Sequence, residues 1–157
     1  MWQESPQQMW FCMACAYCDA NDFEDNCSVR NYCNSGMMLA LTECKPNKWS
    51  PAAKFKLLPD HHGLFDLEGD QIQVSNSNLC LSLTGVRAVE LENCDASKIE
   101  QRFKGFRSGS GGFELAPAKR NDDKCLTQHH HPREGERIFS EECRKARISD
   151  TNLWTVY

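Results

Sequence analysis

The chain has 157 residues, 40% of them hydrophobic and 25% charged, with a net charge of −4; this fits one globular domain and excludes disordered, collagen-like and coiled-coil classes. Acidic residues outnumber basic ones 10 to 5 over residues 1–78, and basic residues lead 13 to 12 over 79–157, an interleaving that offers no basic stripe to a phosphate backbone and excludes nucleic acid as the expected partner. The longest uncharged apolar run, Met9 to Cys18, has ten residues, about half of the ~20 that a membrane-spanning helix needs, so no membrane span is expected.

Taken in chain order, short alternating segments predict strands in three successive groups. The first group runs Trp10-Phe11-Cys12-Met13, Cys27-Ser28-Val29, Met38 to Cys44 and Ala53 to Leu57. The second runs Gln71 to Val74, Leu79 to Leu83, Val89 to Cys94 and Ile99 to Phe103. The third runs Phe113 to Leu115, Lys124 to Thr127, Ile138 to Cys143 and Asn152 to Tyr157. Turn-rich stretches at Pro59 to Gly63 and Ser108 to Gly112 separate the groups, and no helical 3.6-residue stripe interrupts them.

The groups repeat one another in order as well as in composition. Cys44, Cys94 and Cys143 fall 50 and 49 residues apart, and the aromatics that follow them, Phe55, Phe103 and Trp154, fall 48 and 51 apart. Each unit is too small to bury its own apolar face, so three must close on a shared core with the recurring aromatic as its filler.

Ten cysteines require either metal or oxidation as their explanation. Zinc knuckles need two closely spaced pairs, and only Cys12, Cys15 and Cys18 lie close together. Disulfides are therefore expected, and with them a secreted, extracellular or lumenal setting. Residues 1–8 carry Glu4 and no basic residue, unlike the start of an export signal, while the apolar stretch 9–16 ends in Ala14-Cys15-Ala16, which resembles a small-residue cleavage site. Asn26-Cys27-Ser28 is a glycosylation sequon.

The residues Cys80-Leu81 with Val89 to Cys94, Cys125-Leu126 with Cys143, and the Gln-x-Trp-like elements Gln101-Arg102-Phe103 and Asn152-Leu153-Trp154 resemble the ricin B-type lectin family. The resemblance covers residues 64–157 well and 9–58 poorly. It implies an all-β fold, a β-trefoil of three four-stranded units (about 9–58, 64–106 and 112–157) making one domain over residues 1–157. It also implies disulfides Cys80 to Cys94, Cys125 to Cys143 and Cys27 to Cys44, leaving Cys12, Cys15, Cys18 and Cys33 unassigned.

The family's sugar pockets imply an Asp two residues after the first cysteine of each unit and an aromatic shortly before the second. Here those places hold Val29, Ser82 and Thr127, and Thr42, Glu92 and Glu141, so both the main carboxylate and the stacking ring are replaced. The remaining polar set gives the candidate carbohydrate-binding residues: Thr127, Gln128, His129, Glu141, Asp150 and Asn152 in the third unit, and Ser82, Glu92, Glu100 and Gln101 in the second. Solvated strand faces are the competing explanation for each, and Gln101 and Asn152 before the core aromatics also suit side-chain hydrogen bonds that hold a turn.

His129-His130-His131 reads as an exposed polar hairpin, because three consecutive residues cannot all face one ion. No catalytic constellation emerges: Asp122-Asp123 and Glu141-Glu142 point to opposite sides of a strand, and Ser108 to Gly112 lacks the lysine of a phosphate loop. The expectation is a non-catalytic module without metal or cofactor whose partners are glycans or glycoproteins. The rival expectation is a trefoil that has lost sugar binding and contacts a protein.

Overall fold

The structure is a computed structural model and describes residues 2–4, 10–18, 27–44, 52–58, 68–84, 87–107, 113–118, 124–128, 133–148 and 154. It is mostly antiparallel β. In chain order the strands are β1 (Trp2–Glu4), β2 (Trp10–Tyr17), β3 (Ser28–Val29), β4 (Met38–Glu43), β5 (Phe55–Leu58), β6 (Glu68–Val74), β7 (Leu79–Leu83), β8 (Val89–Asn93), β9 (Phe103–Arg107), β10 (Phe113–Pro117), β11 (Lys124–Thr127) and β12 (Phe139–Glu142). A short helix, α1 (Cys143–Ile148), follows β12 directly.

Three hairpins share one register. Cys12 of β2 lies opposite Thr42 of β4, Cys80 of β7 opposite Glu92 of β8, and Cys125 of β11 opposite Glu141 of β12. In each hairpin that cysteine is bonded to the cysteine two residues beyond its opposite number: Cys12–Cys44, Cys80–Cys94 and Cys125–Cys143, with Cα–Cα distances of 5.2, 5.0 and 5.0 Å. Alternation sets the buried side, with Val89 and Leu91 of β8 inside and Glu90 and Glu92 half-exposed.

The three hairpins meet in a closed ring. Met38 bridges Glu90, Ala88 bridges Phe139, and Arg137 bridges Ala40. Met38, Ala88 and Arg137 stand six residues before the second cysteine of their hairpins, and Ala40, Glu90 and Phe139 stand four before it. The backbone repeats the pattern: Leu91 N–H donates to Met37 O, Ser140 N–H to Arg87 O, and Leu41 N–H to Glu136 O, at 2.7, 3.0 and 2.9 Å. Each hairpin thus offers equivalent atoms to the next, and the third returns to the first.

The other strands join this ring to the core. β5 pairs with β6, β6 with β9, and β9 with β10, all antiparallel. The enclosed cluster includes Met13, Leu39, Leu41, Ile72, Leu81, Leu91, Leu115, Leu126 and Ile138, with Phe103 and Trp154 fully buried among them. The Trp154 indole N–H donates to Leu126 O at 2.9 Å, which satisfies the one polar group that burial of the ring would otherwise strand.

The first unit departs from its sequence reading. β2 takes the place that β7 and β11 take in the other hairpins, so Cys27 does not bond to Cys44: it bonds to Cys18, while Cys44 bonds to Cys12 and Cys15 to Cys33. The register explains it, since β2 lies between β4 on one edge and β3 on the other, and Tyr17 opposite Ser28 brings Cys18 beside Cys27. The preceding strand is β1, whose Trp2 lies opposite Cys12 as Gln73 of β6 lies opposite Cys80. β3 and its two disulfides are an insertion between β2 and β4.

Two smaller differences complete the comparison. Ile99 to Gln101 forms a single 3-10 turn, closed by Gln101 N–H on Lys98 O at 3.2 Å and Arg102 N–H on Ile99 O at 3.0 Å, and the strand begins only at Phe103. Of the expected strand Asn152 to Tyr157 only Trp154 is among the described residues, in an isolated bridge.

Candidate binding site

The end of β8 and the turn after it form an open polar cleft of about 570 Å³, lined by Glu92, Asn93, Asp95 and Lys98, with Ser35 of the first-unit insertion on its other side. Glu92 projects here because strand alternation buries Leu91 and turns its neighbour outward. The Lys98 ammonium lies 3.3 Å from Glu92 Oε2. Both groups remain partly exposed, so the pair adds little stability.

Asp95 is built into its turn. Its carboxylate accepts hydrogen bonds from the Ser97 hydroxyl at 2.6 Å and the Ser97 N–H at 3.0 Å, and Lys98 N–H closes the turn on Asp95 O at 3.1 Å. The Ser97 hydroxyl bond and then the Ser97 backbone bond hold the Asp95 carboxyl below its ordinary range against the opposing effect of desolvation, with the Lys98 charge as the smallest contribution.

Gln101 lies behind the cleft lining and is fully buried. Its carboxamide donates to Asn93 O at 2.9 Å and accepts from Asp95 N–H at 2.8 Å and from the Gln71 amide at 2.8 Å. Every one of those bonds fixes protein to protein, so Gln101 positions the two ends of the cleft wall and presents nothing to a ligand. Arg102 steadies the same turn through Ala96 O and Gly69 O.

Of the residues singled out in the sequence, Glu92 reaches this cleft. Ser82, Thr127 and Gln128 do not line an open pocket: all three are buried, because β7 and β11 are covered on both faces. Thr127 Oγ1 donates to Gln128 O at 3.2 Å, and Ser82 Oγ and Gln128 Oε1 are enclosed without a partner among the described residues. Glu141 pairs with Arg87 at 3.3 Å, and that guanidinium also lies over the Phe139 ring at 4.6 Å. Glu100 is exposed on the 3-10 turn. His129, Asp150 and Asn152 lie outside the described residues.

Asp95, Lys98 and Ser35 escaped the sequence reading because turn residues carry no periodicity, although the Asp-Ala-Ser order is itself a turn signal. In the first unit the position two residues after the hairpin cysteine is Ala14 rather than Val29, and it too is buried.

The cysteines are inert as ligands. All ten are in disulfides, which removes the Cys12, Cys15, Cys18 set from metal chemistry. Glu114 with Cys125 and Cys143 brings three potential ligand atoms together, but the two sulfurs are bonded to each other and both carboxylate oxygens of Glu114 face Arg147. Five disulfides suit an oxidising, extracellular or lumenal environment. Among the described residues no helix is long and apolar enough to cross a membrane.

The cleft offers carboxylates that accept hydrogen bonds and an ammonium and an amide that donate them, with Cys94 and Ala96 as its small apolar part and no aromatic ring. Such a surface suits a ligand rich in hydroxyl groups. The chain matches no family model, no curated protein and no solved structure.

Proposed function

We propose that the chain is a secreted or lumenal β-trefoil of the ricin B type, and that it acts as a non-catalytic carbohydrate-binding module through the cleft of its second unit. The ring of three hairpins, each giving equivalent atoms to the next, supports the trefoil reading. The observation that carries the function is the Glu92, Asp95 and Lys98 cleft, in which Asp95 is held ionised and in place by its own turn.

The competing reading is a trefoil that has lost sugar binding and contacts a protein. It draws on the burial of Ala14, Ser82 and Thr127, the three positions where a ricin-type pocket would hold its carboxylate. A glycan array probed with oxidised, folded protein separates the two. Saturable binding that falls at least tenfold in a Glu92→Gln, Asp95→Asn double variant sustains the lectin reading. A blank array from folded protein overturns it in favour of the protein contact.

A further inference from the structure

The insertion between β2 and β4 has no counterpart in the second hairpin, where only residues 84–88 connect β7 to β8. Cys15–Cys33 and Cys18–Cys27 clamp it, and β3 pairs back onto β2. What it displays, together with the end of β2, is aromatic. Tyr17 and Tyr32 are each 46% exposed, their ring centroids 6.5 Å apart and edge to face. The Arg30 guanidinium lies 5.7 Å from the Tyr17 ring centre, with its backbone N–H anchored to Cys15 O at 2.9 Å.

Tyrosine exposed to this degree costs favourable burial, and the two disulfides hold the rings before any ligand arrives, which reduces the ordering cost of binding. The patch is small and is flanked in sequence by Ser28, Asn31, Asn34 and Ser35. A protein interface of standard size needs roughly 800 Å² on each partner, far more than two rings provide. Tyrosine faces and guanidinium donors suit the C–H face and hydroxyls of a sugar.

The insertion also reaches the cleft. Ser35 belongs to it and is one of the residues lining that cleft, and three peptide units separate Ser35 from Tyr32, a span of at most about 11 Å. Gly36, with φ of +88°, turns the chain here and donates its N–H to Leu91 O at 2.8 Å, which ties the insertion to β8. The cleft has hydrogen-bonding groups without a stacking surface, and the insertion has the stacking surface.

We propose that the Tyr17, Arg30 and Tyr32 platform is a second subsite that extends the second-unit cleft, so that the ligand is a neutral disaccharide or longer oligosaccharide lying across Ser35. The inference rests on the lectin reading. Charge argues for a neutral chain: Glu92 and Asp95 line the cleft, so Arg30 serves as a hydroxyl donor and the anionic group of a sulfated or sialylated sugar meets these two carboxylates.

The test is titration calorimetry of the oxidised protein with neutral oligosaccharides, their constituent monosaccharides and their sialylated or sulfated counterparts. A Tyr17→Ala, Tyr32→Ala double variant is expected to bind the oligosaccharide about tenfold more weakly and the monosaccharide unchanged, whereas Glu92→Gln weakens both. Both tyrosines are surface residues, and intact disulfides and an unchanged melting curve certify the fold. Unaltered oligosaccharide affinity in the tyrosine variant overturns the second subsite and leaves the cleft standing. Tighter binding of the anionic counterpart overturns the neutral specificity. A glycoprotein ligand bound equally well after enzymatic deglycosylation reassigns the patch to protein contact, and no sugar binding by the parent protein overturns this inference and the lectin reading together.

Discussion

Cys12 lies opposite Thr42 across β2 and β4 in the register that puts Cys80 opposite Glu92 and Cys125 opposite Glu141. This equivalence separates the ten cysteines into two kinds. Cys12–Cys44, Cys80–Cys94 and Cys125–Cys143 belong to the repeated architecture, and Cys15–Cys33 and Cys18–Cys27 belong to the insertion alone.

Removing one disulfide of each kind distinguishes them. Cys12 and Cys44 are 32 residues apart, and Cys18 and Cys27 are 9 apart; the chain-entropy model gives about 3.7 and about 2.6 kcal/mol for loops of those lengths. The larger figure is an upper one, because the two insertion disulfides already shorten the loop. Cys12→Ser, Cys44→Ser is expected to lower the urea midpoint of the whole domain. Cys18→Ser, Cys27→Ser instead loosens the insertion, read as faster amide exchange at Val29 and Arg30 with little change at Leu81 or Leu91.

Gln101 separates a scaffold role from a sugar-contacting one. Gln101→Ala removes a buried carboxamide that bonds Asn93, Asp95 and Gln71 and leaves the Gln71 amide short of a partner, a loss of about 2–4 kcal/mol. Denaturant unfolding measures it. Sugar affinity per folded molecule that falls no further than cleft disorder explains agrees with the scaffold role, and Gln101→Glu, which sets a buried carboxylate against Asn93 O, is expected to restore no stability.

Trp154 closes the core over Leu126. Trp154→Phe keeps most of the buried ring but leaves Leu126 O without the indole donor, at a cost of about 1–3 kcal/mol, and Trp154→Ala adds a cavity for a total of about 3–5 kcal/mol. Thermal or urea unfolding ranks the variants. Phe103 is buried to the same degree with no polar group to satisfy, so Phe103→Leu should cost less than Trp154→Ala.

The second unit was legible because Leu79 to Leu83 and Val89 to Asn93 alternate cleanly and a five-residue connection leaves their partnership unambiguous. The first was not, because the insertion separates β2 from β4 in sequence, and nothing local says which of Cys12, Cys15, Cys18 or Cys27 meets Cys44. Sidedness was the other gap. Ser82 and Thr127 are polar residues in alternating strands, and polarity suggested a surface; β7 and β11 are covered on both faces, so their polar positions are inside. Glu92 reaches the cleft because β8, unlike β7 and β11, keeps one face partly open and alternation turns Glu92 to it.

Asp95 gives the cleft its pH response. Its folded pKa lies below the unfolded value, so its contribution to the turn is present above the ordinary aspartate range and is lost as pH falls through the lowered value. Carbon-13 titration of the side-chain carboxyl should place its midpoint below that of a free aspartate. Ser97→Ala, which removes the first of the causes, should move the midpoint upward, with Lys98→Ala moving it less.

The helix α1 has six residues, too few to persist alone, and its presence where alternation predicted only the end of a strand needs an external cause. Cys143 fixes its first residue to β11. Near its other end Arg147 holds both oxygens of Glu114, with Nε 3.0 Å from Oε1 and Nη2 2.9 Å from Oε2. Glu114 is buried and Arg147 more than half exposed, so solvent screens the pair and Arg147→Ala is expected to cost about 1–2 kcal/mol rather than the full price of a buried ion pair. Arg147→Lys keeps the charge but not the two-point geometry and should recover less than half of the loss. Hydrogen exchange locates the effect: faster exchange across Arg144 to Arg147 with β7 and β8 unchanged means that the ion pair holds the helix, whereas unchanged exchange there would assign the helix to the disulfide alone.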